Sequence, residues 1–138
     1  MFNGVLVAAD GSSHSLRAAE KAIEIVSKKT RSVDIVYVIS GTASKEDVLH
    51  NRSKYEIKES RRIKLKVIEE KFFANKINYS VHVLRGDPGP EIVEFANKGS
   101  YDCLIVGSRG LNQLQTMVLG SVSHKVAKHV ECPVLIVK

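Results

Sequence analysis

Apolar residues recur along this chain with two periods, and the switching between them predicts the architecture. Val5-Leu6-Val7-Ala8-Ala9 is a continuous apolar run that stops at Asp10-Gly11-Ser12-Ser13, a turn and helix-start signal. Leu16, Ala19, Ala22, Ile23 and Val26 then repeat at helical spacing and predict an amphipathic helix. VDIVYVI, from Val33 to Ile39, is rich in β-branched and aromatic residues and predicts a second strand. A long, more polar stretch follows, from Ser44 to about Asn75. Its second half carries an expected apolar stripe of Ile63, Val67, Ile68 and Phe72, and its first half is expected to be a loop or a frayed start.

A third strand is expected from Ile77 to Leu84. GDPGPEIVEFANKG then supplies Asp87 as N-cap, Pro88 at the first helical position and Gly99 as the stop. Asp102 to Val106 predicts a fourth strand, Ser121 to Val130 a last helix, and Val134 to Val137 a fifth strand. Continuous apolar strands alternating with helices indicate a parallel sheet covered on both faces. Right-handed crossovers make a doubly wound, Rossmann-like α/β fold the simplest arrangement, with five parallel strands in the order 3-2-1-4-5 and four helices. Ligands of such sheets bind beyond the carboxyl ends of the strands, where the winding reverses. Asp10 follows the first strand and Gly107 the fourth, so both are expected at that crevice.

The chain has 138 residues, of which 43% are hydrophobic and 26% charged. That composition and length fit one globular domain spanning residues 1–138, with roughly 68–70% of its unfolded surface buried. No apolar run is long enough to span a bilayer, and no membrane is expected among the partners. The opening has no basic segment ahead of its short apolar run and is not read as a signal peptide, so a cytoplasmic location is expected. Cys103 and Cys132 are then expected to be reduced, structural thiols.

The net charge is +6, and its source is local. Lys45 to Lys76 holds ten Lys or Arg against six Asp or Glu. Interspersed acids and few aromatics favour a solvated helix face there over a nucleic-acid surface.

The candidate chemistry lies in GSRGLNQLQTMVLGS, from Gly107 to Ser121. Glycine lets main-chain N–H groups approach a ligand and adopt positive φ. Gly120-Ser121 opens the last helix, where unpaired N–H groups favour an anion. The hydroxyls of Ser121 and Ser123 are further candidate contacts. Asp10, ahead of Gly-Ser, suits a helix N-cap as well as a ligand contact. The chain has neither G-x-x-x-x-G-K-[ST] nor G-x-G-x-x-G.

The spacing of Gly107, Gly110, Gly120 and Ser121 is G-x2-G-x9-G-[ST]. Together with VLVAADGS, the YVI ending of the second strand, GDPGPEIVEFA, DCLIVGSRG and CPVLIVK, it resembles the universal stress protein family, in particular the nucleotide-binding branch that keeps the glycine loop. The resemblance covers the whole chain. It implies an ATP site, with ADP or AMP as alternative ligands that the sequence does not separate from ATP, in which Asp10 contacts the adenosine end, Ala8 and Ala9 line the pocket and Val38 offers main-chain groups to the adenine edge. Gly107, Arg109 and Gly110 would hold the ribose and near phosphates, and Gly120, Ser121, Val122 and Ser123 the phosphate chain. Alanine stands at 8 and 9 where the family usually has proline or threonine. The resemblance also implies a homodimer through the last strand, whose apolar edge is otherwise a liability.

No Ser/His/Asp or Cys/His arrangement and no zinc site emerges, and no catalytic residue is assigned. His124 and His129 lie about 140° apart on a helix. Without a general base beside the phosphates, weak or no ATP hydrolysis is expected, and any Mg²⁺ would ride on the phosphates. A regulatory stress-response module responsive to nucleotide is the favoured function. A slow ATPase or nucleotide-transferring enzyme, and a nucleic-acid or partner-binding scaffold using residues 45–76, are the alternatives.

Overall fold

The computed structural model describes residues 2–40, 54–109 and 120–138. Among these described residues five strands, β1 (Val5–Ala8), β2 (Ser32–Ser40), β3 (Asn78–Gly86), β4 (Cys103–Gly107) and β5 (Val134–Val137), alternate with four helices. These are α1 (Ser13–Ile25), α2 (Lys54–Ala74), α3 (Pro88–Lys98) and α4 (Ser121–His129). The sheet is parallel throughout, in the order β3-β2-β1-β4-β5. This is the doubly wound arrangement expected from the sequence.

Strand residues alternate between two cores, because successive side chains point to opposite faces. Val5, Val7, Val33, Ile35, Cys103 and Ile105 meet Ala18, Ala19 and Ala22 of α1 and Leu65, Ile68 and Phe72 of α2. Leu6, Ala8, Val36, Leu104 and Val106 meet Ile92 and Ala96 of α3 and Val126 of α4. Every residue of β1 and β4 is buried, as expected of central strands covered on both faces. Alanines on the inner side of α1 let its backbone lie close to the sheet. Ser12 caps that helix, its hydroxyl accepting from the Ser15 N–H at 3.1 Å.

The structure corrects two expectations and qualifies a third. The buried stripe of α2 runs through Leu65, Ile68 and Phe72, whereas Ile63 is 66% and Val67 51% exposed. Leu65 lies about 200° round the helix from Ile63, so one stripe cannot hold both inside. The cap of α1 is Ser12, not Asp10. Asp87 occupies the N-cap position of α3, but its side chain makes no capping hydrogen bond there. The expected loop or frayed start before α2 falls largely on 41–53, outside the described residues.

Candidate functional site

β1 and β4 are hydrogen-bonded neighbours, yet the chain leaves them for opposite faces of the sheet. α1 follows β1 onto the face built on Val5 and Val7, and α4 follows β4 onto the face built on Leu6 and Ala8. Their carboxyl ends therefore define the switch-point crevice.

From β1, Ala8 and Ala9 enter the crevice region almost fully buried. The Ala9 N–H donates to the Val36 carbonyl at 3.0 Å, holding the end of β1 to β2. Asp10 is half-buried, and its Oδ1 accepts from the Ser12 N–H at 2.8 Å. This bond fixes the turn between strand and helix. Gly11 sits at φ +88°, in the left-handed region, and α2 packs on it closely enough that a Cβ would lie 3.2 Å from Lys64 Cβ. Val38 lies on the neighbouring strand, two residues beyond the Val36 that pairs with Ala8.

From β4, Gly107 is constrained by packing. A Cβ there would stand 2.7 Å from His14 Cβ and 3.0 Å from the His14 carbonyl carbon, so its small size admits the start of α1. Gly107 is not among the described glycines with positive φ, contrary to the reason expected from sequence. Arg109 follows, half-buried. Gly110 lies outside the described residues.

The Ser108 main chain ties β4 to α4 and β5. Its N–H donates to the Val137 carbonyl at 2.7 Å, and its carbonyl accepts from the Gly120 N–H at 2.8 Å. The buried Ser123 hydroxyl shares its hydrogen between the Ser108 and Gly120 carbonyls, at 3.1 and 3.0 Å. Sequence reasoning passed over Ser108. Its role is carried by the main chain, so residue type gave little signal.

Two expected donors, the Gly120 N–H and the Ser123 hydroxyl, thus face protein. Gly120 has φ −63°, ordinary for any residue, and supplies no side-chain cap to α4. The first turn of α4 contains no acid, and its last turn carries Lys128 and His129. The positive end of the helix dipole is therefore not neutralised by the first turn of its own helix. Ser121 is exposed, Val122 half-buried and Ser123 buried. The structure brings Ala8, Ala9, Asp10, Gly107, Arg109 and the Gly120–Ser123 turn to one edge of the sheet, with Val38 on the adjoining strand.

No group of three potential metal ligands occurs among the described residues. His124 and His129 are both exposed. Burial raises the pKa of the Cys103 and Cys132 thiols, which fits the structural role expected of them.

A doubly wound α/β protein with its candidate site at the switch point is the class this geometry defines. The chain belongs to the universal stress protein family: the model of that family matches residues 1–138. Universal stress protein YxiE of Bacillus subtilis is 34% identical over an alignment of 148 residues that covers 100% of both chains. The solved structure of hypothetical protein MJ0577 superimposes with a TM-score of 0.86 at 27% identity, covering 100% of this chain and 96% of that one. A universal stress protein solved in complex with cAMP superimposes with a TM-score of 0.70 at 26% identity, covering 99% of this chain and 96% of the other.

Proposed function

We propose that this chain is a nucleotide-responsive regulatory module that holds an adenine nucleotide at the switch point and does little or no chemistry on it. The observation that carries this reading is the start of α4, where Gly120 places no side chain over the amides of the first turn. The complex of a related protein with cAMP supports the same ligand class.

The described residues fit a phosphate chain at the main-chain amides of Ser121, Val122 and Ser123. They do not fit it at the Gly120 N–H or the Ser123 hydroxyl, which serve Ser108. Three charge-assisted hydrogen bonds at about 1.5–3 kcal/mol each supply a gross gain of the size that micromolar binding requires, about 8 kcal/mol, before ordering costs. Asp10, held by its bond to Ser12, is assigned to the adenosine end, with Ala8, Ala9 and the Val38 main chain beside it. Gly107, Arg109 and Gly110 are assigned to the ribose and near phosphates. ATP is the proposed ligand, with Mg²⁺ carried on its phosphates. A cytoplasmic homodimer paired through β5 completes the reading.

Nucleotide released from the purified, denatured protein, together with calorimetric titration of ATP, ADP and AMP, tests the site. The reading expects adenine nucleotide in the extract, ATP binding in the micromolar range, and at least a tenfold loss of affinity in Asp10→Ala. Absence of both co-purified nucleotide and titratable binding would end it. Steady phosphate release abolished by Gly120→Val would favour the ATPase alternative.

A further inference from the structure

α2 carries a second apolar stripe that the core does not use. Ile63 is 66%, Val67 51% and Phe73 82% exposed, the most exposed large hydrophobic residues among those described. At about 100° per residue, Ile63, Val67 and Ala74 share the side opposite the buried Leu65, Ile68 and Phe72, with Phe73 at its margin. Two ion pairs lie on this side between Phe73 and Ile63, each carboxylate matched by a cation: Arg62 with Glu59 at 3.0 Å and Lys66 with Glu70 at 3.9 Å.

The end of α2 that bears Phe73 abuts the turn after α1. The Asn78 N–H donates to the Arg31 carbonyl at 2.7 Å, and Arg31 Nη1 to the Asn75 carbonyl at 3.5 Å. Lys28, Lys29, Arg31 and Lys76 project here, all exposed. None of them forms a salt bridge among the described residues. Neither 26–33 nor 73–78 contains an acid. Arg31 (φ 43°) and Lys76 (φ 57°) are also the only non-glycine residues with positive φ among those described. Such positions ordinarily favour glycine or asparagine, and here two cations occupy neighbouring ones.

We propose that the outer face of α2 and the adjoining turn form a peripheral docking surface for an anionic lipid bilayer. Ile63, Val67 and Phe73 would enter the interfacial layer while Lys28, Lys29, Arg31 and Lys76 meet the headgroups. The patch extends about 20 Å along the helix from Ile63 to Lys76. A nucleic acid would engage the cations and one aromatic ring but leave the exposed aliphatic residues without a role. An anionic bilayer supplies negative charge and an apolar layer together. The cationic end of the surface, with Phe73, lies at the amino edge of the sheet, away from the nucleotide crevice, whereas its Ile63 end adjoins Lys64, which packs on Gly11. The lack of a helix long and apolar enough to span a membrane among the described residues does not bear on surface contact.

Co-sedimentation of the full chain with vesicles of mixed phosphatidylglycerol and phosphatidylcholine, against phosphatidylcholine alone, tests this. Expected are preference for the anionic vesicles, weakening with added salt, and about a tenfold loss of binding in Phe73→Ser. The double variant Arg31→Asn, Lys76→Gly relieves both left-handed positions, so it should lose binding by a similar factor while its melting temperature is kept or raised. Equal or absent binding to the two vesicle types, or unchanged binding in both variants, overturns the proposal. Salt-sensitive binding to poly(U) with the same residue dependence, and none to vesicles, would overturn it in favour of a nucleic-acid surface.

Discussion

A methyl group on Gly107 would press on His14 Cβ at 2.7 Å and on the His14 carbonyl carbon at 3.0 Å. The second contact is main chain in the first turn of α1, which cannot rotate aside. Gly107→Ala should therefore lower stability by about 1–3 kcal/mol, read as a shift in the urea midpoint without ligand. A loss of nucleotide affinity alone, at unchanged stability, would show that the glycine serves only the ligand. Tyr101 offers a test in pH. Its hydroxyl donates to Asp34 Oδ2 at 2.6 Å, and burial, that hydrogen bond and the Asp34 charge all raise its pKa. A phenol that keeps its proton more firmly in the folded state stabilises fully below the ordinary tyrosine pKa of about 10. That contribution is lost as pH rises from there toward the folded value. Melting curves should show an alkaline loss of stability that is smaller in Tyr101→Phe; identical alkaline limbs would remove Tyr101 as its source.

At the scale of elements, α2 separates two sets of apolar residues that look alike in sequence. Phe72 is fully buried, and Phe72→Ala should cost about 3–5 kcal/mol. Ile63→Ala should change stability by no more than about 0.5 kcal/mol, because Ile63 is 66% exposed. Paired denaturation curves decide the matter, and a large effect at Ile63 would mean that its face is covered in the intact protein. The strands were legible because continuous runs such as VLVA and CLIVG need burial on both sides, which the parallel sheet supplies. The helix was legible only as a helix. Its apolar residues lie all round it, so periodicity could not choose the inward side, which is fixed by packing into the core shared with α1 and the sheet, where the Phe72 ring lies 5.7 Å from that of Tyr79 on β3. The same holds at the site. Glycine spacing singled out the stretch from Gly107 to Ser121, but it could not show that the Ser108 carbonyl takes the Gly120 N–H and the Ser123 hydroxyl.

At the scale of the whole molecule, the sheet has two unequal edges. β3 is nine residues long and ends it on one side; β5 has only four residues and ends it on the other. β5 is bonded to β4 alone among the described strands, and VLIV offers no charge or proline to deter another strand. Leu135 is 37% exposed on this edge strand, whereas Val134 and Ile136 pack into the core shared with α4. A second copy pairing there would occupy the strand's open main-chain groups and cover Leu135. Leu135→Lys places a charge at the proposed interface without removing a core side chain. Sedimentation equilibrium at micromolar concentration should therefore show a dimer for the parent chain and a monomer for this variant, with circular dichroism unchanged. The crevice is built from β1, β4 and the start of α4 within one chain, so the monomeric variant should keep its nucleotide affinity within about twofold. Lost affinity in a folded monomer would mean that the partner chain completes the site, and a parent chain already monomeric would leave the β5 edge open in solution.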